Sequence, residues 1–244
     1  MEGVVVVTGG TGGVGRTVVR ELARAGRTVL YTHRDGRPPL DLSAEPAAVR
    51  ARVSGAPVDL TDPEGVQRLF DEAAARFGAV AGLVHLAGAF LAGRAVETGA
   101  GHWRHLWQAN VDSAFLAARA ALPHMLRLGR GRIVLVAARA ALQPRAGLAA
   151  YGVAKGAVAR LAAELAEETR GTGVTVNCLA PGAIDTEANR AARPGADRRL
   201  WVSPLAVARV ILWLLSEEAA VVNGALLPLE GPEGALGPQR EGEG

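Results

Sequence analysis

The chain has almost no lysine. Of its 27 lysine and arginine residues only Lys155 is a lysine. Cysteine is as scarce. Cys178 stands alone, which excludes an internal disulfide and fits a reducing compartment. Its surroundings, VTVNCLAPG, are apolar, so a buried structural thiol is expected rather than a nucleophile. No apolar run approaches the ~20 residues of a membrane span. No dense basic block exists either, and a formal net charge of +3 gives nucleic acid no clustered patch to bind. The sequence opens on MEGVVVVTGG without the pattern of a signal peptide, so a cytoplasmic location is expected.

What is present is a chain of 244 residues, 49% hydrophobic, long enough for one large core. Short apolar runs alternate with helical periodicity along its whole length. GVVVVTGG, RTVLYTH, APVDL, AGLVHLAG, GRIVLVAA, GVTVNCLAPG and GALLPL read as strands, several of them continuous apolar runs as in a buried parallel sheet. Helices are expected over residues 15–26, 61–78, 101–128, 151–170 and 204–217, with a short one over 45–52. Thr61 and Glu64 have capping-box spacing, and Pro123 is expected to break or kink the long helix. This alternation predicts an α/β fold, a single doubly wound Rossmann-type domain with a parallel, roughly seven-stranded sheet and helices on both faces. The domain is expected over residues 1–230, with a Gly/Pro-rich tail over 231–244 that frays.

TGGTGGVG, from Thr8 to Gly15, joins the first strand to the first helix. Glycines there let the backbone turn tightly and approach a pyrophosphate, which the helix N-terminus attracts. The stretch lacks the Lys-Ser/Thr of an NTPase loop. Cofactor choice is set where the second strand ends, because a carboxylate there holds a ribose 2′-hydroxyl and repels a 2′-phosphate. His33 and Arg34 occupy that region and Asp35 comes late. Arginine suits a phosphate, so NADP(H) is favoured, with NAD(H) the alternative and solvated Arg34 and Arg37 the plain reading.

Tyr151 and Lys155, in YGVAK, are four apart on a predicted helix and share a face. A free phenol has a pKa near 10. An ammonium ~5 Å away, at an effective dielectric of ~20, favours phenolate by roughly 3 kcal/mol, or about two pKa units. Lysine's compact head can also reach ribose hydroxyls, a double duty that arginine's planar fork does not fit.

With these motifs in this order, the sequence resembles the short-chain dehydrogenase/reductase family. The likeness also rests on VDL, HLAG, Asn110 in QANVDSAF, and PGAIDT. The resemblance implies hydride transfer between nicotinamide and a small carbonyl or alcohol substrate, with Tyr151 as acid/base and a homotetramer or homodimer as the assembly. It implies that Asn110 holds a water in the proton relay and that Lys155 binds the nicotinamide ribose. It implies further cofactor contacts from Thr8, Gly9, Gly13, Val14, Gly15, His33, Arg34, Asp59, Leu60, Ala87, Gly88, Pro181, Gly182, Ile184 and Thr186. No metal is implied.

Two positions depart from the family. Its usual serine, thirteen residues before the tyrosine, is Ala138 here, and its usual asparagine opening the N-x-A-G turn is His85. One missing oxyanion donor costs about 3 to 4 kcal/mol. Three readings follow: a reductase with a substitute donor such as Arg139 or Gln143, a slow enzyme, or a cofactor-binding protein with a sensing or structural role. His102 and His105, beside Trp103 and Trp107, sit at metal-compatible spacing without a third ligand nearby, so packing or solvation is expected. Arg190, Arg193, Arg198 and Arg199 lie where the family places a mobile substrate cover. They are read as a solvated face or as a site for an acidic substrate.

Overall fold

The structure, a computed structural model, describes residues 3–34 and 39–231. Its strands are Val4–Thr8 (β1), Thr28–His33 (β2), Val53–Pro57 (β3), Val80–His85 (β4), Gly131–Val136 (β5), Val174–Pro181 (β6) and Leu226–Leu229 (β7). All pair in parallel, in the order β3-β2-β1-β4-β5-β6-β7. The helices are Gly15–Arg24 (α1), Ala47–Arg50 (α2), Pro63–Phe77 (α3), Ala100–Trp107 (α4), Ser113–Leu128 (α5), Ala149–Glu168 (α6), Glu187–Ala192 (α7) and Pro204–Leu214 (α8). This is the Rossmann-type architecture expected of the sequence.

The continuous apolar character of β1 follows from its position. Successive strand side chains point to opposite faces, and helices cover both. Val4 and Val6 join Phe70 of α3, Ala117 of α5 and Val158 of α6 in one core. Val5 and Val7 join Leu22 of α1 and Ile211 of α8 in the other. Each fully buried valine or leucine contributes about 1.5 to 3 kcal/mol. The chain leaves β1 toward β2 on one side and returns at β4 on the other. The crevice beyond the carboxyl ends of β1 and β4 is therefore the topological switch point, where such sheets bind ligands.

Several boundaries differ from the sequence expectation. The third strand runs over Val53–Pro57, earlier than APVDL, because its register pairs Val29 with Val53 and His33 with Pro57. Val58–Leu60 thus follow the strand. The fourth strand ends at His85 and leaves residues 86–88 beyond the sheet. The cap of α3 is Asp62, whose side chain accepts from the Glu64 N–H, with Pro63 at the first helical position. Thr61 instead donates to Asp59 Oδ1 from both its N–H and its hydroxyl. The break in the long helix lies at a π-helical turn, Gln108–Asp112, and α5 runs through Pro123 to Leu128. That proline forfeits only its own backbone bond to residue 119.

The short helix expected over 45–52 forms only as Ala47–Arg50. Glu45 is instead buried and paired with Arg20 and Arg24. The expected tail, beyond Gly231, and Asp35 and Arg37 lie outside the described residues. Among the described residues no helix is long and apolar enough to cross a membrane.

Candidate active site

The loop between β1 and α1 is glycine-rich because backbone crosses backbone there. Gly9 has φ 68°, in the left-handed region, and a Cβ on it would lie 2.9 Å from the Ala87 nitrogen. A Cβ on Gly15 would lie 2.2 Å from the Gly9 carbonyl oxygen, and one on Gly13 2.9 Å from Thr186 Cγ2. No side chain caps the N-terminus of α1; the Arg16 and Thr17 N–H groups donate to the Gly12 and Val14 carbonyls, so the turn from Gly13 to Gly15 is what it offers an anionic ligand.

Thr8 is buried and faces His85 rather than the crevice. Counting protons fixes the histidine tautomer. Ser113 Oγ donates to the Ala109 carbonyl at 2.8 Å, so at 3.2 Å it accepts from His85 Nε2. His85 Nδ1 therefore accepts from the Thr8 hydroxyl at 3.0 Å, and Thr8 Oγ1 accepts from the Ala87 N–H at 3.3 Å. This chain ties β1 and the turn after β4 to the π-helical turn. His85 is 1% exposed. Burial, helped by the charge on Lys155, pushes its pKa down to about 3, so the ring is neutral.

The π-helical turn carries Asn110. Its Nδ2 donates to the Leu106 and Ala89 carbonyls at 2.8 and 3.0 Å. Its Oδ1 is buried without a partner and lies 2.5 Å from where a Gly88 Cβ would be. Lys155 Nζ approaches the same spot, 3.3 Å away, and donates to the Val136 carbonyl at 2.9 Å. Burial lowers the Lys155 pKa to about 8, which leaves it charged at neutral pH.

Tyr151 lies one turn before Lys155 on α6, edge-on to Phe90 with ring centroids 4.9 Å apart. Here the electrostatic expectation fails. Burial pushes the phenol up to about 12, because desolvation disfavours the charged phenolate.

These groups line one cavity of about 410 Å³. Of the expected site residues it gathers Gly9, Gly13, Val14, Gly15, Gly88, Asn110, Tyr151, Lys155, Pro181, Gly182, Ile184 and Thr186, with Ala138 and Arg139 on the same wall. Ala138 is extended, at φ −159° and ψ 164°, and 8% exposed. Gln143 is exposed and outside the lining, which removes it as a substitute donor. Arg139 remains, ion-paired with Glu230.

His33, Arg34, Asp59, Leu60 and Ala87 also stand outside this lining. His33 nevertheless ends β2 and Arg34 follows it, beside Gly10, whose N–H donates to the Thr32 carbonyl at 3.0 Å. The Val58 N–H donates to the His33 carbonyl at 3.0 Å, so the residues leading to Asp59 and Leu60 run alongside. Among the cover arginines, Arg190 pairs with Asp185 and Arg199 with Asp197, and only Arg193 reaches the cavity.

Sequence reasoning missed Phe90, Arg145 and Asn189, which also line it. Their signal is three-dimensional, since each comes from a different loop or helix. Trp103 and Trp107 stack at 6.2 Å on exposed α4. Among the described residues no cluster of three or more His, Cys, Asp or Glu could hold a metal. Burial raises the Cys178 thiol to about 11, as suits an inert core group.

The residues fit a nicotinamide dinucleotide. The glycine-rich turn and the N-terminus of α1 stand where phosphates need them. A buried ammonium and an orphaned amide oxygen stand at the inner end.

Comparison with known proteins agrees. Residues 3–197 match the family model described as short chain dehydrogenase. Meso-2,3-butanediol dehydrogenase of Serratia marcescens is 29% identical, over 93% of each chain. The inactive 2-(S)-hydroxypropyl-CoM dehydrogenase 2 of Xanthobacter autotrophicus is 32% identical, over 88% of this chain and 98% of that protein. The solved structure of ElxO with NADP bound superposes with a TM-score of 0.85 at 26% identity, over 96% of this chain and all of that one.

Proposed function

The chain belongs to the short-chain dehydrogenase family, and from that membership we propose that it is an NADP(H)-dependent oxidoreductase acting on a small carbonyl or alcohol. The observation that carries the reading is the meeting of Tyr151, Lys155 and Asn110 on the wall of one cavity with the glycine loop. When bound, the nicotinamide dinucleotide supplies or accepts the hydride.

Tyr151, protonated at neutral pH, would donate its phenolic proton to the oxygen of a carbonyl substrate. Lys155 holds the ribose and keeps a positive charge beside the site. Asn110, fixed through its amide nitrogen, offers its free Oδ1 to a water that resupplies the proton. His33 and Arg34, with no carboxylate at either position, favour a 2′-phosphate over a bare ribose, and the NADP held by the neighbouring structure supports this.

Ala138 favours a second reading, a dinucleotide-binding protein with impaired catalysis. The name of the inactive relative supports it.

One experiment separates the two. NADPH and NADH are titrated by fluorescence, and a carbonyl panel is assayed with wild type and Tyr151→Phe. The oxidoreductase reading expects tighter NADPH binding, turnover by wild type, and its loss in Tyr151→Phe with NADPH affinity within a few-fold. Tight cofactor binding without turnover selects the second reading. Wild-type turnover by Tyr151→Phe refutes the acid/base assignment.

A further inference from the structure

The chain as a whole is nearly balanced in charge, with 27 basic and 24 acidic residues. The cavity is not. Its charged lining is Arg139, Arg145, Lys155 and Arg193, with no aspartate or glutamate among the described residues. A sample drawn from so balanced a surface would bring acids with it.

Two of these cations are already answered. Arg139 is neutralised by Glu230, and Lys155 donates to the Val136 carbonyl. Arg145 and Arg193 make no side-chain hydrogen bond or ion pair with any described residue.

They reach the cavity from separate elements. Arg145 sits in the loop before α6, where its carbonyl accepts from the N–H of Leu148 at 3.2 Å, the cap residue of the helix that carries Tyr151. That loop is anchored to Gly93, whose N–H donates to the Gly147 carbonyl at 2.8 Å. Arg193 ends α7, the helix that follows Thr186. The glycine end of the cavity, from Gly9 to Gly15, contributes no arginine to the lining. Backbone of the glycine loop would hold the cofactor's phosphates there, which leaves Arg145 unexplained.

We propose that the substrate carries an oxyanion, a carboxylate or a phosphate, held by Arg145 and Arg193 at the cavity mouth while its carbonyl meets Tyr151. This rests on the oxidoreductase reading above. Guanidinium forks match both anions bidentately, and two forks from different elements set the distance between the anion and the reacting carbon.

Binding is measured by calorimetry on protein saturated with NADP⁺, where a carbonyl compound binds without turning over. The probes are 2-oxobutyrate against its methyl ester and dihydroxyacetone phosphate against dihydroxyacetone. The pair with the larger anion preference identifies the anion. A charge-assisted hydrogen bond predicts a preference of about 10- to 100-fold per arginine. Arg145→Gln and Arg193→Gln should each remove one such factor, while Arg160→Gln, on the exposed face of α6, should remove none.

Equal affinity for both members of both pairs overturns the proposal, as does a preference that survives the two substitutions. A preference kept in Arg193→Gln alongside weakened NADP⁺ binding assigns that arginine to the cofactor and overturns its role here. NADPH oxidation with the same four compounds separates the two claims. Turnover without anion preference sinks only this proposal. Anion preference that responds to the arginines, without turnover, sinks only the oxidoreductase reading.

Discussion

His85 should make the protein acid-labile in a defined window. Its folded pKa of about 3 lies below the unfolded value of 6.5. Above pH 6.5 both states are neutral and the residue contributes no pH dependence. As pH falls, the unfolded state takes up the proton first and the native state is penalised. The penalty grows from pH 6.5 toward pH 3 and reaches about 5 kcal/mol in full, at 1.36 kcal/mol per unit. By pH 5 it is about 2 kcal/mol, a fall of roughly 4 to 8 °C in Tm for a chain of this size.

His85→Leu removes the titration and leaves the Thr8 and Ser113 hydroxyls short of a partner, at about 1 to 3 kcal/mol each. That variant should be less stable than wild type at pH 7.5 and lose less on going to pH 5. Adding Thr8→Val exchanges the unpaired hydroxyl for an unpaired Ala87 N–H and should recover little of the loss at pH 7.5. The assay is urea unfolding at a series of pH values. Equal losses between pH 7.5 and 5 in wild type and His85→Leu would show that the buried imidazole is not the source.

Three further outcomes are expected. Ala138→Ser places a hydroxyl on the cavity wall without changing an extended backbone, and kcat/KM on any carbonyl turned over should rise by up to about 10²- to 10³-fold. No rise, with a loss on Arg139→Ala, would mark Arg139 as the substitute donor. NADPH affinity should weaken as pH rises through about 8, where Lys155 loses its proton, by up to about tenfold per unit, and Lys155→Met should bind weakly at every pH. A wild-type affinity flat from pH 7 to 9.5 would remove Lys155 from the cofactor site. Gly15→Ala drives a methyl against the Gly9 carbonyl, so NADPH Kd should rise by about 10- to 100-fold, the equivalent of 1 to 3 kcal/mol of overpacking. Fluorescence titration checks it, and unchanged affinity would show that the loop relaxes freely.

The parallel sheet was legible because its strands are buried on both faces, so Val4 to Val7 read as an unbroken apolar run and residues 174–181 as a mostly apolar one. The third strand was not, since VSGAP on the outer strand carries little apolar signal and its register is set by pairing with β2. Thr61 and Asp62 are both good caps by composition, and only backbone geometry chooses between them. Tyr151 and Lys155 were found by spacing along one helix. The rise in the phenol's pKa was out of reach, because desolvation depends on what the rest of the chain packs around it. The pairing of Arg139 with Glu230 and the presence of Arg145 and Arg193 on one cavity lining join residues that are far apart in sequence.

The π-helical turn at Gln108–Asp112 has a consequence for how this chain could be repaired or ruined. A π turn holds one residue more than the α-helix it interrupts, so α4 and α5 are one rod carrying a surplus residue. Deleting a single residue there would let the rod close into continuous α-helix with better backbone bonds. The same deletion would rotate everything on one side by about 100° against the other, since a helix turns once in 3.6 residues. Asn110 and Ser113 could not both keep their places, the first at the cavity and the second on His85. The turn is thus a phase shifter. It gives up some regularity in the helix so that the amide reaches the cavity while the hydroxyl a turn away still reaches the buried imidazole.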